Sequence, residues 1–346
     1  MRSFVDLQRT FGNQPLELGA ALARIDTGRG QERLFEAQMP ELLSQLSVSA
    51  RIASITASNA IENIVLDGAR AEGIVDGSAP FRNRNEQEFA GYRDALDSLI
   101  RIDGYEPLSV PYLLHLHRLL LQHVGGRGGH LKIEQNYIVS YESGRRRVIF
   151  TPPDQKQAEV LLPELLARYN AAKQQALAHP LVLLGALILD FLAIHPVADG
   201  NGRLARLITT YELLSQGYGV ARYVSIEQRI FDSKNAYYAS LYESQQGWHD
   251  EEHSIWPWTS YLVRVLDGAY EDFGRSIAAG HGLGSKQQRV RDYVLHQAPD
   301  EFRTREIRRA LPDISPATIR LVLNSLKASR MIGSEGSGPG ARWHRL

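Results

Sequence analysis

With 346 residues, 43% of them apolar, the chain is too long for one ordinary core and too hydrophobic to be disordered. Thirty-nine Lys and Arg balance thirty-nine Asp and Glu, so the chain as a whole is no polyelectrolyte. The lack of cysteine excludes disulfides, thiolate zinc sites and cysteine nucleophiles, and it suits a reducing compartment.

The opening MRSFVDLQRTFGNQ has no apolar h-region, and the first 35 residues read as irregular. From Pro40 to Val65 the apolar residues fall at helical spacing: Leu42, Leu43, Leu46, Ile52, Ile55, Ile61 and Ile64. FRNRNEQEFAGYRDALDSLIRI reads as a second amphipathic helix with Asn85 as its N-cap. SVPYLLHLHRLLLQHV is a third, capped by Ser109 with Pro111 in its first turn, and GGRGG (125–129) breaks the chain after it. The period then changes. Tyr137–Val139 and Val148–Phe150 are β-rich arms around a Ser-Gly turn, ended by Pro152 and Pro153, which is the pattern of a hairpin.

Helical patterns resume over 155–178, 181–194, 202–216 and 233–245, and from Trp256 onward. The run Leu181–Ile194, interrupted by Gly185 and Asp190, is shorter than the roughly 20 residues a membrane span requires. A soluble cytoplasmic protein without membrane contact is the expectation. AAGHGLGS (278–285) is small, Gly-rich and uncharged, and reads as a linker. Beyond it, residues 285–346 carry twelve Lys and Arg against six Asp and Glu, a net of +6, so the remainder carries −6. The fold class is mainly α with one small hairpin, followed by a basic C-terminal domain.

The most informative stretch is IHPVADGNGRLAR (194–206). Gly200 and Gly202 permit a turn that gathers successive N–H groups at the start of a helix, a ready anion site. Arg203 and Arg206, three apart, share a face of that helix, and their forked donors suit phosphate oxygens. Asp199 is a hard carboxylate beside that site, a natural Mg²⁺ ligand. His195 has the neutral-range pKa of a general base. Singly these residues would be a helix stop, a turn and a solvated face. Together they point to attack by a hydroxyl on a nucleotide phosphate. No Gly-Lys-Ser/Thr phosphate loop is present.

HPVADGNGRLAR resembles the signature of Fic-domain proteins, His-x-Phe-x-(Asp/Glu)-Gly-Asn-Gly-Arg-x-x-Arg, with Val197 in place of Phe. GGRGGHLKIEQNYIV with VIFTPPD resembles the family's flap region, and FRNRNEQEFAGYRDAL resembles the helical region that precedes its core. The resemblance covers roughly residues 40–250. It implies an all-helical core with a hairpin flap, and Mg²⁺-dependent transfer of AMP from ATP to a Ser, Thr or Tyr hydroxyl of a target protein. On it, His195 is the base and Asp199 holds Mg²⁺. Gly200, Asn201 and Gly202 cradle the phosphates and Arg203 and Arg206 neutralise them, with Leu204 and Ala205 counted in the same nucleotide-binding segment. The target docks along the hairpin near Tyr137–Phe150. NAYYASLYESQ resembles the helix over the adenine, where Tyr238 is the candidate contact.

SNAIENIV (58–65) resembles the family's inhibitory motif, (Ser/Thr)-x-x-x-Glu-(Gly/Asn), at Ser58, Glu62 and Asn63. Glu62 on that helix is expected to pair bidentately with Arg206, steadied by Ser58, and so withhold Arg206 from ATP. The resemblance leaves removal of AMP by the same Glu open, and self-modification is expected once the brake is released.

The C-terminal segment reads helix, helix, helix, hairpin, with Ser315 capping a helix opened by Pro316 and a Gly-rich hairpin tip. This resembles a winged helix-turn-helix, whose reading helix would present Ser315, Thr318 and Arg320. Duplex DNA and a protein or homo-oligomer contact are the two partners it allows. The resulting domains are 1–105, a helical region with the inhibitory helix; 106–277, the Fic core; 278–285, the linker; and 286–346, the winged domain. The alternative for the whole chain is a DNA-binding regulator whose core only senses nucleotide. His195 argues against it, since a sensor needs no base.

Overall fold

The structure is a computed structural model that describes residues 3–102, 104–125, 128–142, 145–312, 314–329, 331–336 and 341–345. The chain divides into two compact units, Met1–Phe273 and Gly274–Leu346.

The larger unit begins with α1 (Leu7–Phe11) and α2 (Leu16–Gln38), where the sequence had read as irregular. Leu18, Leu22 and Ile25 form one buried stripe of α2, but Gly and charged residues between them mask the period. Tertiary contacts fix the helix: Glu32 accepts the N–H groups of Gly219 and Val220 (2.8 Å each), and Arg24 Nε bonds Asp267 (3.1 Å). α3 (Pro40–Ile61) stops four residues before the expected end, because Asn63 takes a positive φ of 62°. α4 (Gly68–Val75) leads to α5 (Arg84–Ile100), capped by Asn83 rather than Asn85, with Asn83 Oδ1 accepting the Glu86 N–H (3.0 Å). α6 (Val110–Leu121) has the expected Ser109 cap.

The hairpin pairs β1 (Ile138–Glu142) with β2 (Arg145–Phe150), antiparallel, with an irregularity between Ile138 and Val139. Its expected Ser-Gly turn lies outside the described residues, as does the middle of the 125–129 glycine run. α7 (Gln155–Gln174), α8 (Pro180–Ile194), α9 (Asn201–Ser215), α10 (Ile226–Asp232) and α11 (Lys234–Gln245) complete the site-bearing region. Every residue of α8 from Leu181 to Ile194 is buried, so this helix is the axis of the core, with α7, α9 and α11 packed on it. Its one charge, Asp190, accepts from Ser3 N (3.0 Å), Ser3 Oγ (2.9 Å) and Trp248 Nε1 (2.7 Å), and burial pushes its carboxyl up to about 6.

α12 (Trp256–Asp292) runs through residues 278–285, so the expected linker is helical and the boundary between the units falls at Phe273/Gly274. Each glycine there costs about 1 kcal/mol relative to Ala, but no proline interrupts the run and Ala278, Ala279 and Leu283 favour helix. The smaller unit continues with β3 (Glu301–Arg303), α13 (Thr304–Ala310), α14 (Pro316–Ala328), β4 (Ile332–Glu335) and β5 (Arg342–Arg345). The sheet order is β3-β5-β4, over a core that includes Phe302, Ile319, Leu323, Leu326 and Trp343. β3 was not anticipated. Ser315 caps α14 as expected, accepting the Thr318 N–H (3.2 Å), and Arg320 is exposed on that helix. The Gly-rich tip, 337–340, lies outside the described residues. No helix among the described residues is long and apolar enough to cross a membrane.

Candidate active site

The loop after α8 begins at His195, which closes that helix in the left-handed conformation (φ 50°, ψ 59°). Such backbone costs a residue with a Cβ about 1–3 kcal/mol, so its surroundings must hold it. They do. Asn136 Nδ2 donates to both His195 O and Val197 O, at 3.0 Å each. Asn201 clasps buried Val197, accepting its N–H (3.1 Å) and donating to its carbonyl (2.7 Å). The Lys132 N–H donates to Pro196 O (2.8 Å), and its buried ammonium donates to Asn136 Oδ1 (2.8 Å), Pro153 O (2.7 Å) and Ile194 O (3.2 Å). Burial lowers that ammonium to about 8. From α6, His117 accepts the Gly129 N–H at Nδ1 (3.1 Å), so Nε2 carries the proton and donates to Asp199 O (3.1 Å).

His195 Nδ1 donates to Leu192 O (3.1 Å), which leaves Nε2 as an acceptor. Burial, reinforced by the Lys132 charge, depresses the imidazole to about 4. At neutral pH the ring is therefore an uncharged base.

Gly200 opens α9 at φ 85°, a conformation strained for any residue with a Cβ. Both arginines that follow are buried. Arg203 Nη1 meets Glu88 of α5 (2.8 Å), and its Nη2 lies 3.8 Å from Asp199. Arg84, on α5 as well, bonds Glu88 (2.7 Å) and lies 3.8 Å from Asp199. Arg206 donates Nε to Ser58 Oγ (2.8 Å) and Nη2 to Ser58 O and Glu62 Oε1 (2.9 Å each). Its Nη1 has no hydrogen-bond partner.

The Glu62–Arg206 pair differs in detail from the expectation. Glu62 caps α3 instead of lying within it. It meets Arg206 through one oxygen, and Ser58 grips the arginine, not the carboxylate. The turn that aims Glu62 is set by Asn63 in left-handed backbone, with Asn63 Oδ1 accepting from Lys234 (3.3 Å). Burial opposes the Glu62 charge, but Arg206, with Arg203 and Lys234, outweighs it and holds the carboxyl below its ordinary value. A Cβ on Gly202 would stand 2.6 Å from Glu62 Oε1, so a side chain there would displace the carboxylate from its present position.

One cavity of about 970 Å³ takes in Glu62, His195, Asp199, Gly200–Arg203 and Tyr238. Tyr238 is 45% exposed on its wall, while its neighbour Tyr237 is buried against Trp258 and Tyr261. Leu204 and Ala205 do not line it: both are buried, and the Leu204 N–H is spent on Gly200 O (2.8 Å). The Asn201 side chain braces the loop, so only its main chain is left to face a ligand. Among the described residues no group of three or more His, Cys, Asp or Glu could hold a metal alone. Asp199, 56% exposed, is a single carboxylate, which suits a Mg²⁺ that takes its other ligands from phosphate oxygens and water.

The helical core thus sets an uncharged histidine beside a glycine turn and two buried arginines, a grouping whose N–H groups and charges suit an anion and whose Nε2 can accept a proton. Residues 107–213 match the Fic/DOC family, and the chain carries a Fic domain. Over 107 residues, 31% of this chain, it is 30% identical to the protein adenylyltransferase Fic of Aedes aegypti, of which the match spans 19%. A Fic family protein from Desulfovibrio desulfuricans shares the fold with a TM-score of 0.63 at 21% identity, over 96% of both chains. Fic-1 from C. elegans aligns with a TM-score of 0.58 at 19% identity, over 77% of this chain and 73% of its own.

Sequence reasoning missed Asn136, Lys132, His117 and Glu88. Only His117 left a trace, as a polar residue among Leu113, Leu116 and Leu120 on the buried side of α6.

Proposed function

We propose that the protein is an adenylyltransferase that moves AMP from ATP to a Ser, Thr or Tyr hydroxyl of a target protein, restrained at rest by Glu62 on Arg206. The observation that carries this reading is the single cavity shared by a neutral His195, the α9 anion turn and Asp199. His195 Nε2 takes the proton of the target hydroxyl as that oxygen bonds to the α-phosphorus. The bond from the α-phosphorus to the bridging oxygen breaks, and pyrophosphate leaves. The α9 N-terminus and the two arginines offset the negative charge of the phosphates. Bound at Asp199, Mg²⁺ would add charge neutralisation of the phosphates. With Nη2 of Arg206 held by Glu62, the outer phosphates lose one of their two cations, and the resting enzyme is slow. Release of Glu62 would permit self-modification as well as target labelling.

The test is ATP labelled on either the α- or the γ-phosphate, incubated with the protein and Mg²⁺. Retention of the α-label alone on protein is expected. Retention of the γ-label would replace nucleotidyl transfer with phosphoryl transfer.

A further inference from the structure

Glu227, in the first turn of α10, is buried, and nothing in the chemistry above uses it. A carboxylate is rarely buried without partners. Here they are hydroxyls: Tyr92 Oη of α5 donates to Glu227 Oε1 (3.0 Å), and Thr210 Oγ1 of α9 reaches the same oxygen (3.4 Å). Thr210 lies one turn beyond Arg206 on α9. The Tyr92 hydroxyl in turn faces that of Ser58 on α3. One turn earlier on α3, Ser54 Oγ bonds Ser225 Oγ (2.9 Å), which pins α3 to the start of α10. A carboxylate only accepts, so Tyr92 spends its proton on Glu227 and its oxygen is left to accept from Ser58. The Ser58 hydroxyl then turns a lone pair to Arg206 Nε (2.8 Å). The chain runs in one direction, from Arg206 through Ser58 and Tyr92 to Glu227, and all four residues are buried.

An arginine has five N–H donors. Ser58 takes two of those of Arg206, through its hydroxyl and its carbonyl, and Glu62 takes one. Nη1 has no hydrogen-bond partner, and a Cβ on Gly202 would stand 3.4 Å from it, so its two donors sit at the glycine turn. Departure of Glu62 would therefore leave the guanidinium gripped by Ser58, with three donors open to a phosphate.

We propose that Tyr92 and Glu227 are positioning residues for ATP: acting through Ser58, they hold the Arg206 guanidinium at the glycine turn whether or not Glu62 is in place, and so set the grip on the outer phosphates. Ser58 then serves the working state as well as the resting one. This inference rests on the reading above in which Arg206 neutralises those phosphates.

The experiment measures equilibrium binding of ATP and of AMP, each with Mg²⁺, by calorimetry. It uses the full chain carrying Glu62→Gly and His195→Ala, so that ATP is not consumed. Tyr92→Phe in that background fills the same space but ends the chain. ATP affinity should fall about tenfold, the order of one hydrogen bond to a charged group, and AMP affinity should not change, since AMP lacks the outer phosphates. Glu227→Gln keeps a carbonyl acceptor for Tyr92 and should hold ATP affinity within about threefold, whereas Glu227→Ala should reproduce Tyr92→Phe. Urea unfolding confirms that each variant is folded. Equal losses for ATP and AMP, or ATP affinity unmoved by Tyr92→Phe, would overturn the proposal. A gain in self-labelling from Tyr92→Phe with Glu62 and His195 intact would also overturn it, by making the chain part of the brake. Arg206→Ala is the reference. If it weakens ATP but not AMP and Tyr92→Phe does not, this proposal alone falls; if it does not separate ATP from AMP, the reading of Arg206 falls with it.

Discussion

Replacing Asn136 with Ala should damage the active site without touching ATP. Its amide donates to two carbonyls, His195 O and Val197 O, and its oxygen accepts from the buried Lys132 ammonium. A buried carbonyl left unpaired costs about 1–3 kcal/mol. Only His195 O is left unpaired, because Val197 O keeps its bond from Asn201, so the expected loss in folding stability is about 1–3 kcal/mol. The same bonds hold His195 in left-handed backbone, so the ring should shift, and a displacement of about 1 Å lowers turnover by roughly a hundredfold. The KM for ATP should change little, because Asn201 independently braces the turn that faces the phosphates. Asn136→Asp keeps the Lys132 contact but sets a carboxylate against two carbonyls, and should be at least as damaging. Urea unfolding and initial labelling rates, both in the Glu62→Gly background, measure the two effects. An unchanged midpoint with unchanged turnover would refute the bracing argument, and a rise in KM with turnover intact would reassign Asn136 to substrate binding.

Two buried titrating groups give the stability a pH signature. His195 is depressed from 6.5 to about 4 in the fold, so its contribution is fully present above pH 6.5 and is lost as pH falls toward 4. Asp190 is raised from 3.8 to about 6, so it costs stability progressively as pH rises through that window. The two trends oppose each other, and Asp190→Asn should make the urea midpoint fall more steeply between pH 6 and 4.5; an unchanged slope would contradict the assignment. The neighbouring tyrosines should separate cleanly. Tyr237→Ala, in the core, should cost about 3–5 kcal/mol of stability, whereas Tyr238→Ala should leave the midpoint nearly unchanged and raise the KM for ATP about tenfold. Equal effects of the two on stability would place Tyr238 in the core.

The loop from His195 to Arg206 was legible in the sequence because its chemistry is contiguous: one turn and one helix start bring the groups together. The partners that hold it were not. Asn136, Lys132 and Glu88 reach it from segments about 60 to 115 residues away, and nothing local in the sequence reports such a contact. Ser58 and Glu62 were found through their resemblance to the family's inhibitory motif, yet the motif did not show that Ser58 binds the arginine. α2 was missed because its stripe is diluted by glycines and charges, and residues 278–285 were misread because glycine weakens a helix without forbidding it.

The most direct measurement incubates the wild-type chain, Glu62→Gly and His195→Ala with ATP labelled on the α-phosphate and Mg²⁺, and follows label retained on protein. The account expects weak labelling of the wild type, strong labelling of Glu62→Gly and none of His195→Ala. Labelling of His195→Ala at the wild-type level, or no gain from Glu62→Gly, would contradict it.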